Sequence, residues 1–128
     1  MASQNNTGRQ YNKTHAVTIV ATAAVEQYRF IAYDGTHATS AGGTKDSQGI
    51  TETAGAIGEA VSAITAYSGL VVASEAIAFG AFVKPAADGT GRAAVGAADD
   101  YCGRALGAAT AAGDIIEIQP LTHVHPAA

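Results

Sequence analysis

The chain has no tryptophan, one cysteine, three prolines and few charges. A lone cysteine, Cys102, rules out an internal disulfide, which fits assembly in a reducing cytoplasm rather than a stapled secreted fold. Charged residues make up 14% of the sequence, against roughly 25% in an average soluble domain, so little acid–base chemistry can be built. The seven Lys and Arg residues are scattered and the net charge is −4, whereas nucleic-acid binding calls for a basic stripe. No apolar stretch reaches membrane-spanning length without a polar break. The first fifteen residues are polar, unlike the charged start and apolar run of a signal peptide. Neither nucleic acid nor membrane is therefore expected as a partner.

Large apolar side chains are also scarce. Val, Ile, Leu and Phe together number 24 of 128 residues, while Ala and Gly number 45. This composition predicts a thin core under a skin of small residues. Such a core contributes little stability per residue, so oligomerisation is expected to add to it.

What is present has the pattern of strands. Residues 1–14 are rich in Asn, Gln, Ser and Thr and have no apolar period, so they form an arm rather than part of a core. Asn5, Asn6, Arg9 and Tyr11 are its candidate partner-binding groups, with Tyr11 as the one large anchor. From His15 the chain turns β-like. Val17-Thr18-Ile19-Val20 is β-branched throughout, and Tyr28-Arg29-Phe30-Ile31-Ala32-Tyr33 runs into the turn dipeptide Asp34-Gly35. Further strands are expected at Ala60 to Tyr67, Leu70-Val71-Val72, Ala81-Phe82-Val83 and Ile115-Ile116-Glu117-Ile118. The Ala-rich stretch from Ala105 to Ala112 is broken by Gly107 and closed by Gly113, so it makes a helical turn or two at most.

An internal repeat organises these strands. Val20-Ala21 matches Val72-Ala73, Val25 matches Ile77, and Phe30-Ile31 matches Phe82-Val83, all at a spacing of 52. Asp34-Gly35-Thr36 matches Asp88-Gly89-Thr90, and Gly49 matches Gly103, at 54; Gly58-Glu59 matches Gly113-Asp114 at 55. In this unit Gly35 and Gly89 close the Asp-Gly turns, Gly49 and Gly103 lead strands, and Gly58 and Gly113 each precede an acid and an apolar strand. The expected fold is all-β, a compact antiparallel barrel or sandwich of about eight strands built from two repeats, with an extended N-terminal arm. Its parts are the arm at 1–14, a β-domain at 15–121 (repeat one about 15–68, repeat two about 69–121) and a C-terminal tail at 122–128. Pairing one copy against the other would hide the sheet edges.

The sequence offers no catalytic residue, cofactor or metal site to assign. Gly89-Thr90-Gly91-Arg92-Ala93-Ala94 has the spacing of a dinucleotide fingerprint, but Gly89 closes a turn and no amphipathic helix follows. His123-Val124-His125 could set two imidazoles on one face of a strand, yet no Cys or carboxylate stands near them in sequence. They are read as part of the tail. Asp99-Asp100 is read as a solvated loop pair. His15, His37, Ser40 and Asp34 hold the atoms of a triad without a nucleophile elbow. The chain is not expected to be an enzyme.

The unit "apolar strand, Asp-Gly turn, Gly-x-Ala-Leu, small residues, Ala-Gly-Asp, alternating apolar strand" resembles the capsid cement, or head decoration, proteins of tailed bacteriophages. The stretch that carries this runs from Gly103-Arg104-Ala105-Leu106 through Ala112-Gly113-Asp114 to Ile118, with Gly58-Glu59-Ala60-Val61 and Ser68-Gly69-Leu70-Val71-Val72 as its first-copy counterpart. The resemblance spans about residues 16–119, and it implies structural turn positions at Gly35, Gly49, Gly58, Gly89, Gly103 and Gly113. It implies a non-catalytic β-rich virion protein, made in the host cytoplasm. It further implies a homotrimer on the outer capsid surface, where it binds the major capsid protein at subunit junctions and stabilises the shell. Other readings are a tail, baseplate or fibre component, or a small-ligand-binding β-barrel. The lack of Trp and the five Tyr speak against an aromatic-rich fibre tip, and so few large apolar residues speak against a lined cavity.

Overall fold

The computed structural model describes residues 16–125. His15 and the arm residues Asn5, Asn6, Arg9 and Tyr11 lie outside the described residues. The chain is all-β, with two antiparallel sheets. Nine strands follow in order: β1 Ala16–Val20, β2 Phe30–Ala32, β3 Ser47–Thr51, β4 Ala60–Ile64, β5 Gly69–Val72, β6 Phe82–Pro85, β7 Ala93–Val95, β8 Tyr101–Ala105 and β9 Ile115–Val124. A single 3-10 turn at Gly43–Lys45 is the only helical element among the described residues.

The first sheet has the order β1-β4-β3-β2, and the second β5-β9-β8-β6-β7. With β5, β6, β8 and β9 as the counterparts of β1, β2, β3 and β4, the second order repeats the first and adds β7 at its edge. The hydrogen bonds outside the strands repeat as well. Ala21 N–H donates to the Glu59 carbonyl as Ala73 N–H does to Asp114, and Val25 exchanges two bonds with Gly55 as Ile77 does with Ala109. The Asp-Gly turns match atom for atom. Asp34 Oδ1 accepts from the Thr36 amide at 3.0 Å and its hydroxyl at 2.6 Å; Asp88 Oδ1 accepts from Thr90 at 3.0 and 2.7 Å. Each carboxylate replaces a backbone acceptor in a turn whose next residue, Gly35 or Gly89, has φ near +85°.

Three expectations are corrected. Among the described residues, strands of one copy do not pair with strands of the other; each copy finds its ladder partners within itself, including the non-consecutive pairs β1–β4 and β5–β9. The copies meet instead where the end of a strand bonds a segment of the other copy outside its ladders: Phe30 N–H donates to the Gly91 carbonyl at 2.8 Å and Val72 N–H to the Tyr28 carbonyl at 3.0 Å. Gly49 and Gly103 are not turns; they sit inside β3 and β8. The strand expected to end at Ile118 continues as β9 through Thr122, His123 and Val124, held by the pairing of Tyr101 with Val124. Pro120 within it has no amide to donate, and it stands opposite Gly103 beside an irregularity in the β8 register.

One core is shared by both copies. Phe30, Ala32, Ala38 and Ile50 from the first pack with Val71, Ile77, Val83, Cys102, Ile116 and Ile118 from the second. A smaller cluster of Ile19, Ala21, Val25, Ile31, Val61 and Ala63 belongs to the first copy alone. Two buried polar side chains, Thr51 and Arg29, bond to groups distant along the chain. Thr51 Oγ1 donates to the Glu26 carbonyl at 2.7 Å and accepts the Arg29 amide at 3.0 Å. The buried Arg29 donates across the copies to the Thr90 carbonyl at 2.8 Å and pairs with Glu26 at 3.1 Å. A buried charge is tolerable only with such partners.

Candidate functional site

The sites expected from sequence fall in different places. Cys102 is buried in the shared core, and burial pushes its thiol well above the ordinary range, which makes it a packing residue. Gly89 closes its turn, and Ala93 and Ala94 begin β7 rather than a helix, so no helix N-terminus follows to hold a phosphate. His37 faces neither Ser40 nor Asp34 with a hydrogen bond. Its Nε2 accepts the Glu26 amide at 3.0 Å, which leaves Nδ1 to donate to the Gly89 carbonyl at 3.2 Å. It is a clasp between copies. Burial lowers its pKa, with the Arg29 charge acting in the same direction against the Gly89 carbonyl and Glu26.

The two histidines read as tail residues are instead placed by β9 beside the first copy. Asp46, which leads into β3, meets both. His125 Nε2 contacts Asp46 Oδ1 directly, and His123 Nδ1 lies 3.7 Å from the same oxygen. The imidazole rings are 4.2 Å apart and tilted by 32°. Asp100, read as half of a solvated pair, is only 16% exposed; it pairs with Lys84 at 2.9 Å and lies 3.5 Å from His125 Nδ1. Only Asp99 is solvated. The reason is that β8 begins here and turns one carboxylate inward.

The ring of His123 is 2% exposed. The Ser47 amide donates to its Nδ1 at 2.7 Å, so the proton of the neutral ring sits on Nε2, which is buried with no partner. Desolvation lowers the His123 pKa, with Asp46 and Asp100 opposing and His125 assisting. An unsatisfied buried donor costs about 1–3 kcal/mol. Asp46 carries no signal in the sequence, and Asp100 carries one only as half of the Asp99-Asp100 pair, with nothing to join it to the histidines. They lie far from the histidines along the chain, and only the pairing of β9 with β8 and the meeting of the copies brings them in.

Two surface features bear on partners. A recess of about 260 Å³ between β3 and β9 is lined by Tyr33, Gln48, Thr65, Pro120, Leu121 and Thr122 among others. It is small beside the roughly 300–1,000 Å³ of small-molecule pockets. The outer face of the second sheet carries Leu70, Ile115 and Leu106, all between 39% and 51% exposed. Strand register groups them: Val72 pairs with Ile115, Leu70 pairs with Glu117, and the Leu106 amide donates to the Glu117 carbonyl.

No family model and no curated protein matches the chain. Among solved structures, it is similar to the N base of head fiber gp8.5 in bacteriophage phi29, with a TM-score of 0.62 at 16% identity. The match covers 88% of this chain and 98% of that one. The two proteins share a fold.

Proposed function

We propose that this chain is a structural virion protein of a bacteriophage. It binds the outer surface of the capsid at junctions between major capsid subunits, as a symmetric homotrimer, and stabilises the shell. The observation that carries the reading is the fold shared with a phage head fiber base over nearly the whole chain. The surface supports it: few charges need desolvation on docking, the Leu70, Leu106 and Ile115 group offers apolar contact, and repetition over a shell multiplies weak contacts into avidity. The arm residues Asn5, Asn6, Arg9 and Tyr11 add contacts in this reading.

A second reading is favoured by one observation. A fibre component exposes aromatic rings for contact, and Tyr33, Tyr67 and Phe79 are 61%, 71% and 73% exposed. In that reading the chain is a base that seats another virion protein.

Cryo-electron microscopy of particles with and without the protein separates the two. Density from this chain at capsid subunit junctions, in trimers, supports the first. Density at the foot of a projecting fibre supports the second. Absence of the protein from purified particles rejects both.

A further inference from the structure

We propose that Asp46, His123 and His125 bind a divalent transition-metal ion of the zinc class. One ligand atom from each lies within 4.8 Å of the others. Two imidazoles and a carboxylate are a nitrogen–oxygen set that suits zinc, cobalt or nickel, whereas calcium and magnesium take oxygen ligands alone. Three protein ligands leave a position for water or for a group from a partner. Asp46 and His125 are each about a quarter exposed, so the ion has a way in.

One orphaned atom bears on the site. Oδ1 of Asp100 is buried and unpartnered, and a neutral His125 that donates to Asp46 through Nε2 offers it no proton. His123 ligates through Nδ1, the nitrogen that faces Asp46, exchanging the Ser47 amide for the ion and keeping its proton on Nε2. With His125 ligating through Nε2, which already faces Asp46, its Nδ1–H faces Asp100 Oδ1 at 3.5 Å. Metal-bound histidines are commonly oriented by a carboxylate in this way. Asp100 is itself fixed by Lys84 on its other oxygen.

The ligands come from both copies of the repeat. Asp46 enters β3, while His123 and His125 stand at the end of β9, 79 residues from Asp46 at the farthest. A bound ion therefore ties the last strand of the second sheet to the first sheet. It stabilises the folded chain, because the site does not exist in the unfolded one.

The test uses the full chain stripped with a chelator, titrated with zinc by calorimetry and with cobalt by visible absorption. One ion per chain is expected, with a rise in Tm on adding zinc. Asp46→Asn and His125→Gln lose both effects. Asp100→Asn binds about tenfold or more weakly, and His37→Gln binds like the parent. His123→Gln removes a buried ring; if it fails to fold, the partly exposed His125→Gln decides the matter, with circular dichroism confirming its fold. Absence of saturable binding at one ion per chain overturns the proposal, as does binding that survives both Asp46→Asn and His125→Gln.

Discussion

Gly49 and Gly103 meet the same obstacle in the two copies: a Cβ on either would strike a carbonyl oxygen of the neighbouring strand. The distance is 2.6 Å to Ile64 O for Gly49 and 2.7 Å to Gln119 O for Gly103. A backbone atom in a paired strand cannot swing aside as a side-chain tip can. Gly49→Ala and Gly103→Ala are each expected to destabilise by about 1–3 kcal/mol, read from urea unfolding. Gly107, whose nearest such atoms are 3.8 Å away, is the control, and Gly107→Ala should stay within about 0.5 kcal/mol of the parent.

The twin Asp turns differ in one respect. Asp34 also pairs with Lys45 at 3.1 Å, whereas Asp88 is held mainly by Thr90. Burial pushes the Asp34 carboxyl up, but the Thr36 hydroxyl and amide, with Lys45, outweigh it and hold the group below its usual value. The Thr90 hydroxyl and amide do the same for Asp88. Asp88→Ala should cost about 1 kcal/mol, and Asp34→Ala more. Asp88→Asn, which keeps the acceptor, should recover most of the loss. Both groups contribute stability that is present above the unfolded carboxylate pKa and is lost as pH falls below it. A parent whose acid unfolding overlays that of Asp34→Ala would exclude this contribution.

How much of this was legible in the sequence depends on the range of the interaction. The repeat was readable because its marks are local: an Asp-Gly-Thr turn carries its own acceptor, and β-branched runs such as Val17 to Val20 declare strands within a few residues. The pairing of strands within copies was not readable, because identical patterns in the two copies allow exchange between them. Gly49 and Gly103 were marked as structural, but for a turn; only the neighbouring strand shows that they answer to a carbonyl. Asp46 and Asp100 left no sign beside His123 and His125, since the register of β9 against β8 is what joins them. The outcome for Asp99-Asp100, one solvated and one inward, needed the start of β8.

Histidine chemistry sets the response to mild acid. Burial holds the His37 and His123 rings below the usual histidine range, so the unfolded chain binds protons more readily than the folded one. Their contribution to stability is therefore present above the unfolded pKa of about 6.5 and is lost as pH falls from there through the folded values. Protonation also puts a hydrogen on His37 Nε2 where it now accepts the Glu26 amide. The urea midpoint should fall between pH 7.5 and 5, at roughly the range set by that unfolded value, and the fall should be shallower in His37→Gln. A midpoint that is flat across this range would contradict the assignment.

The arm and the outer face of the second sheet make separable predictions about attachment. Residues 1–14 lack the apolar surface to fold by themselves, and the shared core is built from Phe30 onward, so deleting them should leave the Tm within a degree or so of the parent, about the shift expected from a few tenths of a kcal/mol. If Tyr11 docks on a capsid, it buries one aromatic side chain, worth roughly 1.5–3 kcal/mol per copy, or more than tenfold in affinity. Tyr11→Ala should then weaken co-sedimentation with undecorated heads nearly as much as the full deletion does, while Asn5→Ala and Asn6→Ala have smaller effects. Leu70→Asp and Ile115→Asp test the exposed face independently, because a charge there leaves the folded core untouched but must be desolvated on docking. Loss of sedimentation in the sheet variants with none in the arm variants would assign attachment to the sheet and reduce the arm to a bystander. The converse result would make Tyr11 the anchor.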